Sequence, residues 1–348
     1  MNAPAPRHGD LLSGYLDECQ SLVLDEIRAI VPRDDRHTGG LYELIVDYPL
    51  RGGKGLRPAL CISTCRALGG SLAGVLRSAA VLELYHNAFL VHDDVEDGSE
   101  KRRHEATLHR LHGVPIAVNV GDGMLALTLR PLLDNMRILG MGRALRILEA
   151  VADMARESAE GQMLELDWIR RVEWTPAERD YVRMVYKKSA FYTFVTPVSV
   201  GAIAAGAGPE RIVPLRRFAT QIGVAFQIQD DVLNLAGEES STGKEAGGDL
   251  WEGKHTLILI HALRSALAPE RGRALEILRK PRVAKTEADV RFLRRLIERH
   301  GSVEYAWAAA ERRARRAART LGACRDVPPS VHRGFLEAVV DYVVTRDR

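Results

Sequence analysis

Residues 72–105 read LAGVLRSAAVLELYHNAFLVHDDVEDGSEKRRHE. Leu72 to Asp97 is predicted to form one long helix of about seven turns. Its front half, with Val75, Leu76, Ala79, Ala80, Leu82 and Leu84, is apolar nearly all round, as expected of a helix inside a bundle. The rear half changes character. Asp93 and Asp97 share one face, and His86 lies two turns earlier on the same stripe. Like charges at this spacing destabilise a helix by roughly 0.2–0.5 kcal/mol per pair, so a buried helix carrying them is suited to meet a cation. Carboxylate oxygens suit Mg²⁺, which keeps several waters and shares its remaining positions with substrate phosphate. Arg102 and Arg103 follow directly, and paired guanidiniums can make bidentate contacts with a diphosphate.

Outward from this stretch the pattern is helical nearly throughout. Helices are expected over 11–31, 39–50, 57–68, 115–139 with a break at Pro131, 143–169, 175–205, 209–236, 254–267, 286–300, 303–321 and 330–345, with Gly or Pro between most of them. No run of alternating β-branched residues appears. The expected fold is all-α, one domain over residues 10–348 behind a disordered segment at 1–9.

Two further stretches carry chemistry. GVAFQIQDDVLNLAGEESSTGKEAGGDLWEGKHT, residues 223–256, places Gln227 and Asp231 on one helix stripe and Asp230 and Asn234 on the neighbouring track, then Lys244 and Lys254 in a glycine-rich loop. Carboxylates and lysines so close in sequence again suit metal-bridged phosphate. RGGKGLRP, residues 51–58, offers two glycines that let the backbone approach an anion, with Lys54 and Arg57 for charge and Pro58 at a helix start. It lacks the spacing and the preceding strand of a P-loop. Each motif alone has a bland reading: a solvated acidic helix end, a turn, a surface arginine pair. Two acidic clusters on apolar helices, each followed by basic residues, are hard to assign to a solvated face.

Composition narrows the class. Hydrophobic residues make up 46% and charged residues 27%, with a formal net charge of +3, which gives no global argument for nucleic acid or an anionic membrane. Cys19, Cys61, Cys65 and Cys324 form no metal-binding or disulfide pattern and read as small buried residues in a reducing cytoplasm. The longest apolar run, 191–208, is broken by Pro197 and several glycines, so no membrane span is expected. The arginine-rich stretch 304–321 reads as a solvated basic face.

At this point the chain resembles the trans-isoprenyl diphosphate synthases, or polyprenyl synthetases, along nearly its whole length. GGKGLRP, ELYHNAFLVHDDVED, KRRHEATLH, EGQMLEL, KKSA, FQIQDD, GKEAGGDLWEGKHT and DYVVTRDR stand in the family's order. The resemblance implies an isoprenoid-synthase-type helical bundle around a central cavity and a cytoplasmic homodimer acting on isoprenyl diphosphates. It implies Mg²⁺, about three ions per active site. By carry-over, Asp93, Asp94, Asp97, Asp230 and Asp231 bind the metal. Arg102, Lys188, Lys244 and Lys254 contact the allylic diphosphate, and Lys54, Arg57, His86 and Arg103 hold isopentenyl diphosphate. Gln162, Ser189, Phe226 and Gln227 line the reacting centre, and Lys188, Gln227, Asp93 and Asp230 are the residues expected to matter most for catalysis. The family often has Asp where this chain has Asn234, and a basic residue where it has Gly55.

In the family the product grows along the helix bearing the first cluster. Ala88 opens part of the floor that Tyr85 and Phe89 close, which implies a C20 product, geranylgeranyl diphosphate; closure by Phe89 alone, or by a side chain near Met124, implies C15. Asp230, Asn234 and Glu238 also have the spacing of a class I terpene cyclase motif, and a silent subunit of a heteromeric synthase is a further alternative. The isopentenyl-binding cations argue against the first, and the retention of both clusters against the second.

Overall fold

The computed structural model describes residues 8–33, 36–171, 176–236 and 247–345. In chain order the first elements are α1 (His8–Ile30), α2 (Leu41–Leu50), α3 (Leu56–Ala67), α4 (Leu72–Glu96), a hairpin of β1 (Lys101–Arg102) and β2 (Glu105–Ala106), α5 (Leu108–His112), α6 (Val114–Leu127), α7 (Leu129–Leu139) and α8 (Met141–Arg171). Then come α9 (Glu178–Val185), a π-helical segment Tyr186–Val195, α10 (Thr196–Ala204) and α11 (Pro209–Ala236). Further helices lie at Gly248–Glu252, Leu257–Ser265, Ala268–Leu278, Glu287–Arg299, Ser302–Gly322 and Val331–Thr345. Among the described residues the hairpin is the one β-element, and the all-α expectation holds.

Several boundaries depart from the sequence reading for identifiable reasons. The helix expected to break at Pro131 breaks at Thr128 instead, because a proline is tolerated in the first turn of the following helix, where no N–H is needed. The single helix expected over 175–205 is α9, a π-helical stretch and α10. Pro197 cannot donate to the carbonyl four residues earlier, and its ring crowds that turn, so the winding changes before it. α1 begins at His8, inside the segment expected to lack structure, and the short helices Gly248–Glu252 and Ala268–Leu278 were not foreseen.

The chain packs as two compact units, one of Met1–Asp153, Thr196–Arg216 and Leu321–Val339, the other of Met154–Val195, Arg217–Thr320 and Val340–Arg348. In the first unit α4 packs against α1, α3, α6 and α7. Ser71 caps it, accepting the N–H of Gly74 at 3.1 Å. Val75, Val81, Leu82, Leu84 and Val91 are buried, each a contribution of roughly 1.5–3 kcal/mol. Polar pins fix its rotation. Arg77 bridges Glu26 on α1 and Asp134 on α7 at 2.9 and 3.3 Å, and Asn135 on α7 donates to the buried Ser78 at 3.0 Å.

In the second unit the π-helical segment lies directly against α8. A Cβ at Gly161 would meet the main-chain nitrogen of Lys188 at 2.2 Å, so only glycine permits this approach. The KKSA stretch therefore sits on a π-helix, a winding frequent at functional sites.

Candidate functional site

The first acidic cluster forms the C-terminal end of α4, and that turn contains no basic residue. Carboxylates there oppose the helix dipole as well as one another. Part of the compensation comes from the hairpin. Arg102 Nε donates to Asp94 Oδ1 and Oδ2 at 3.0 and 3.2 Å, its terminal nitrogen bonds the same carboxylate, and it reaches Asp93 at 3.5 Å. Burial works against the charge on Arg102, but the hydrogen bond and charge of Asp94 outweigh it and raise the guanidinium pKa. Asp94 is buried and also accepts from the Tyr48 hydroxyl at 2.8 Å. Its carboxylate is thus held by protein donors from α2 and the hairpin. Asp93 and Asp97 remain partly exposed, one turn apart.

β1 and β2 pair with Arg102 opposite Glu105. The two residues between them, Arg103 and His104, have φ of 55° and 68°, as a two-residue type I′ turn requires. Arg103 donates to the main-chain carbonyl of Tyr48 at 2.7 Å. Its guanidinium lies where a Cβ at Gly53 would stand, with NH2 at 2.8 Å, so the glycine of RGGK makes room for it. Arg51, from the same motif, donates to Asp47 and to the Ala106 carbonyl at 2.7 and 2.8 Å, with its guanidinium 4.5 Å from the Tyr48 ring centroid.

His86 is buried. Burial first, then the positive charges of Arg57, Arg103 and Arg102, hold its pKa well below the usual value, so it stands as neutral imidazole. Arg103 is lowered by burial, with Arg102, Arg57 and Arg51 acting the same way against the pull of Glu83. The structure therefore gathers Arg57, His86, Arg102 and Arg103, separated in sequence, into one cation-rich group in the first unit; Lys54 lies exposed in the motif that supplies Arg57. Along α4, Ala88 is fully buried, while Tyr85 and Phe89 are half-buried and meet edge to face at 5.9 Å. Met124 is fully buried on α6.

The second cluster ends α11, again with no basic residue in the last turn. Asp230 is exposed. Asp231 accepts from Tyr181 Oη at 2.7 Å and from Gln227 Nε2 at 2.9 Å. Burial first, then the charge of Asp249, push its pKa well up, and Asp230 adds to this against the two donors. Asn234, where the family often has Asp, holds the segment beyond α11. Its main-chain carbonyl accepts from Gly247 N–H at 2.8 Å, and its side-chain oxygen accepts from Asp249 N–H at 3.2 Å. It caps the helix Gly248–Glu252, whose own N-cap is Gly247 with no side chain to do so. The oxygen that a cyclase-type motif would turn to metal is occupied there.

Lys188 is ion-paired with Glu165 on α8, while Lys187 bonds Glu157 at 2.7 Å and also Glu160. Gln162 and Ser189 are half-buried, and Phe226 meets Phe194 at 5.4 Å between ring centroids. Lys254 pairs with Glu252 at 2.9 Å. Lys244 and Glu238 lie outside the described residues. Tyr48, Arg51, Glu165, Tyr181 and Asp249 were not singled out from sequence; Glu165 and Asp249 lie inside quoted motifs, whereas Tyr181 had no local signal.

Among the described residues no group of three or more His, Cys, Asp or Glu could hold a metal on its own. The donor set fits Mg²⁺ in another way: Asp93 and Asp97, two carboxylates a turn apart at the C-terminal end of α4, suit an ion that takes one or two carboxylates and completes its shell with water and phosphate.

Residues 40–297 match the model of the polyprenyl synthetase family. The chain belongs to that family. A short chain isoprenyl diphosphate synthase of Methanothermobacter thermautotrophicus is 34% identical over 97% of this chain and 98% of its own. The crystal structure of a geranylgeranyl pyrophosphate synthetase from Pyrococcus horikoshii superposes with a TM-score of 0.86 at 30% identity, covering 98% of this chain and 100% of that one. A geranylgeranyl pyrophosphate synthase from Corynebacterium glutamicum, complexed with isoprenyl diphosphate and magnesium, gives 0.84 at 26% identity over 96% of this chain and 99% of that one. This polyprenyl synthetase is an enzyme of prenyl transfer, and its family is generally dependent on divalent metal.

Proposed function

We propose that this polyprenyl synthetase condenses isopentenyl diphosphate with an allylic diphosphate, using Mg²⁺, and that its product is geranylgeranyl diphosphate. The observation that carries the reading is the cation-rich group of Arg57, His86, Arg102 and Arg103 beside an acidic α4 terminus. A cyclase, which handles one diphosphate, has no use for so many separate cations.

Asp93 and Asp97 on α4, and Asp230 and Asp231 on α11, are the residues that would hold the metal, while Asp94 anchors Arg102. Bound Mg²⁺ would neutralise charge on the departing diphosphate and so favour ionisation of the allylic C–O bond. Arg102, Lys188, Lys244 and Lys254 hold the allylic diphosphate. Lys54, Arg57, His86 and Arg103 hold the isopentenyl diphosphate, with neutral His86 able to donate one hydrogen bond without adding charge. Gln162, Ser189, Phe226 and Gln227 line the place where the new bond forms, from which water is kept. Ala88, next to the Tyr85–Phe89 pair, leaves room on α4 for a chain past C15.

In the first unit Leu111, Val114, Ile116, Leu129, Leu133 and Met141 are exposed. They belong to or border 114–139, which is long and apolar enough by composition to cross a membrane but is broken at Thr128 into α6 and α7. The reading assigns this face to a second copy of the chain in a cytoplasmic homodimer; four free, buried cysteines fit a reducing compartment.

The test is direct. Pure protein with Mg²⁺, isopentenyl diphosphate and each of the C5, C10 and C15 allylic diphosphates should yield C20 product. No elongation of any primer would sink the reading, and a dominant C15 product would sink only the length. Ala88→Phe should shorten the product; an unchanged distribution would place the floor elsewhere.

A further inference from the structure

Tyr48, near the end of α2, bonds Arg103 of the hairpin directly and is linked to Arg102 through Asp94. It is 1% exposed. Its hydroxyl donates to Asp94 at 2.8 Å and accepts the Leu108 N–H at 3.3 Å, and Asp94 in turn holds Arg102. Its main-chain carbonyl accepts from Arg103 at 2.7 Å. Its ring carries the guanidinium of Arg51, which closes on the Ala106 carbonyl of β2.

We infer that Tyr48 is a positioning residue with two separable outputs: its hydroxyl aims Arg102 by way of Asp94, and its carbonyl aims Arg103 independently of the side chain. The inference rests on the proposed function, in which Arg102 serves the allylic diphosphate and Arg103 the isopentenyl diphosphate. A guanidinium is a planar fork, and the direction of its fork decides whether a bidentate contact forms. Arg102 takes its direction from the Asp94 carboxylate. That carboxylate can rotate about its last torsion unless a second donor fixes it, and the Tyr48 hydroxyl is that donor. Substrate never needs to touch Tyr48.

Tyr48→Phe deletes the hydroxyl and keeps the ring, the Arg51 contact and the carbonyl. In steady-state assays with Mg²⁺ the KM for the allylic diphosphate should rise about five- to tenfold, while the KM for isopentenyl diphosphate stays within about twofold. In an Arg102→Gln background Tyr48→Phe should add less than about twofold, because the linkage it cuts is already gone. Thermal melts of Tyr48→Phe run beside the assays separate a loss of fold from a loss of aim. Equal shifts in both KM values, a lowered melting temperature with neither KM moved, or a full effect in the Arg102→Gln background would each overturn the inference. Wild-type protein that elongates no primer fails the functional reading; active wild-type protein with symmetrical KM shifts fails this inference alone.

Discussion

The ends of α4 and α11 carry similar acidic motifs and solve the same electrostatic problem differently. At the end of α4 the charge is met within the protein, by Arg102 against Asp94 and Asp93. At the end of α11 the partners of Asp231 are neutral, Tyr181 and Gln227, and its charged neighbours Asp249 and Asp230 are of like sign. A motif read from sequence as one kind of site twice is thus met by a guanidinium at Asp94 and by neutral donors at Asp231.

The contrast can be broken at four points. Under the proposed function, Asp93→Asn and Asp97→Asn should each lower kcat/KM on the order of 10³-fold at saturating Mg²⁺, since each removes a partly exposed carboxylate assigned to the metal. Loss of folding stability in place of activity would show that they serve the fold. Asp94→Asn should destabilise the protein by about 2–3 kcal/mol in urea unfolding, because it leaves a buried guanidinium without its countercharge. Asp231→Asn in metal-free protein should leave stability unchanged or raise it, because it relieves like-charge repulsion; a loss equal to that of Asp94→Asn would erase the distinction.

Lys285 tests a poorly compensated charge against the helix that Asn234 caps. Its amine donates to the Trp251 carbonyl at 2.6 Å, and burial, with Arg282 nearby, pushes its pKa down to about 8 against the pull of Glu252 and Asp289. A lysine whose folded pKa lies below its unfolded value near ~10.4 opposes folding while it is charged, and that cost is relieved as pH rises from about 8 to 10. Lys285→Met should therefore stabilise the protein by about 1–2 kcal/mol at pH 7, with the gain shrinking by pH 10 in paired thermal melts. The smallest effect is expected at the cap: Asn234→Ala should cost about 1 kcal/mol, and Asn234→Asp should restore the cap but not the stability, having added a charge beside Asp231 and Asp249.

Much of this was legible in the chain. The all-round apolar front of α4 and its sudden acidic end fixed both the helix and its chemistry, because period and charge are local properties. Helix ends marked by Ser71 or by the Thr286–Asp289 capping box were readable for the same reason. What sequence did not show was pairing at a distance. Nothing near Asp94 marks it as the partner of Tyr48, 46 residues earlier, and nothing near Asn234 shows that it caps a helix 15 residues on. The hairpin was missed because its strands are two residues each and its turn, Arg-His, lacks the glycine that announces a type I′ turn. The π-helical winding at 186–195 leaves the apolar pattern helical, so periodicity alone reads straight through it.

The Arg103–His104 turn bears on the adaptation of this enzyme to heat. Two left-handed residues without glycine hold about 1–3 kcal/mol each in backbone strain. At Arg103 the strain is tied to the guanidinium that the proposed function assigns to isopentenyl diphosphate, and selection has little freedom there. His104 is exposed, and no such duty is evident for it. Stability can therefore be drawn from one of two adjacent, equally strained positions without touching activity, which makes residue 104 an accessible first step for directed evolution toward thermostability.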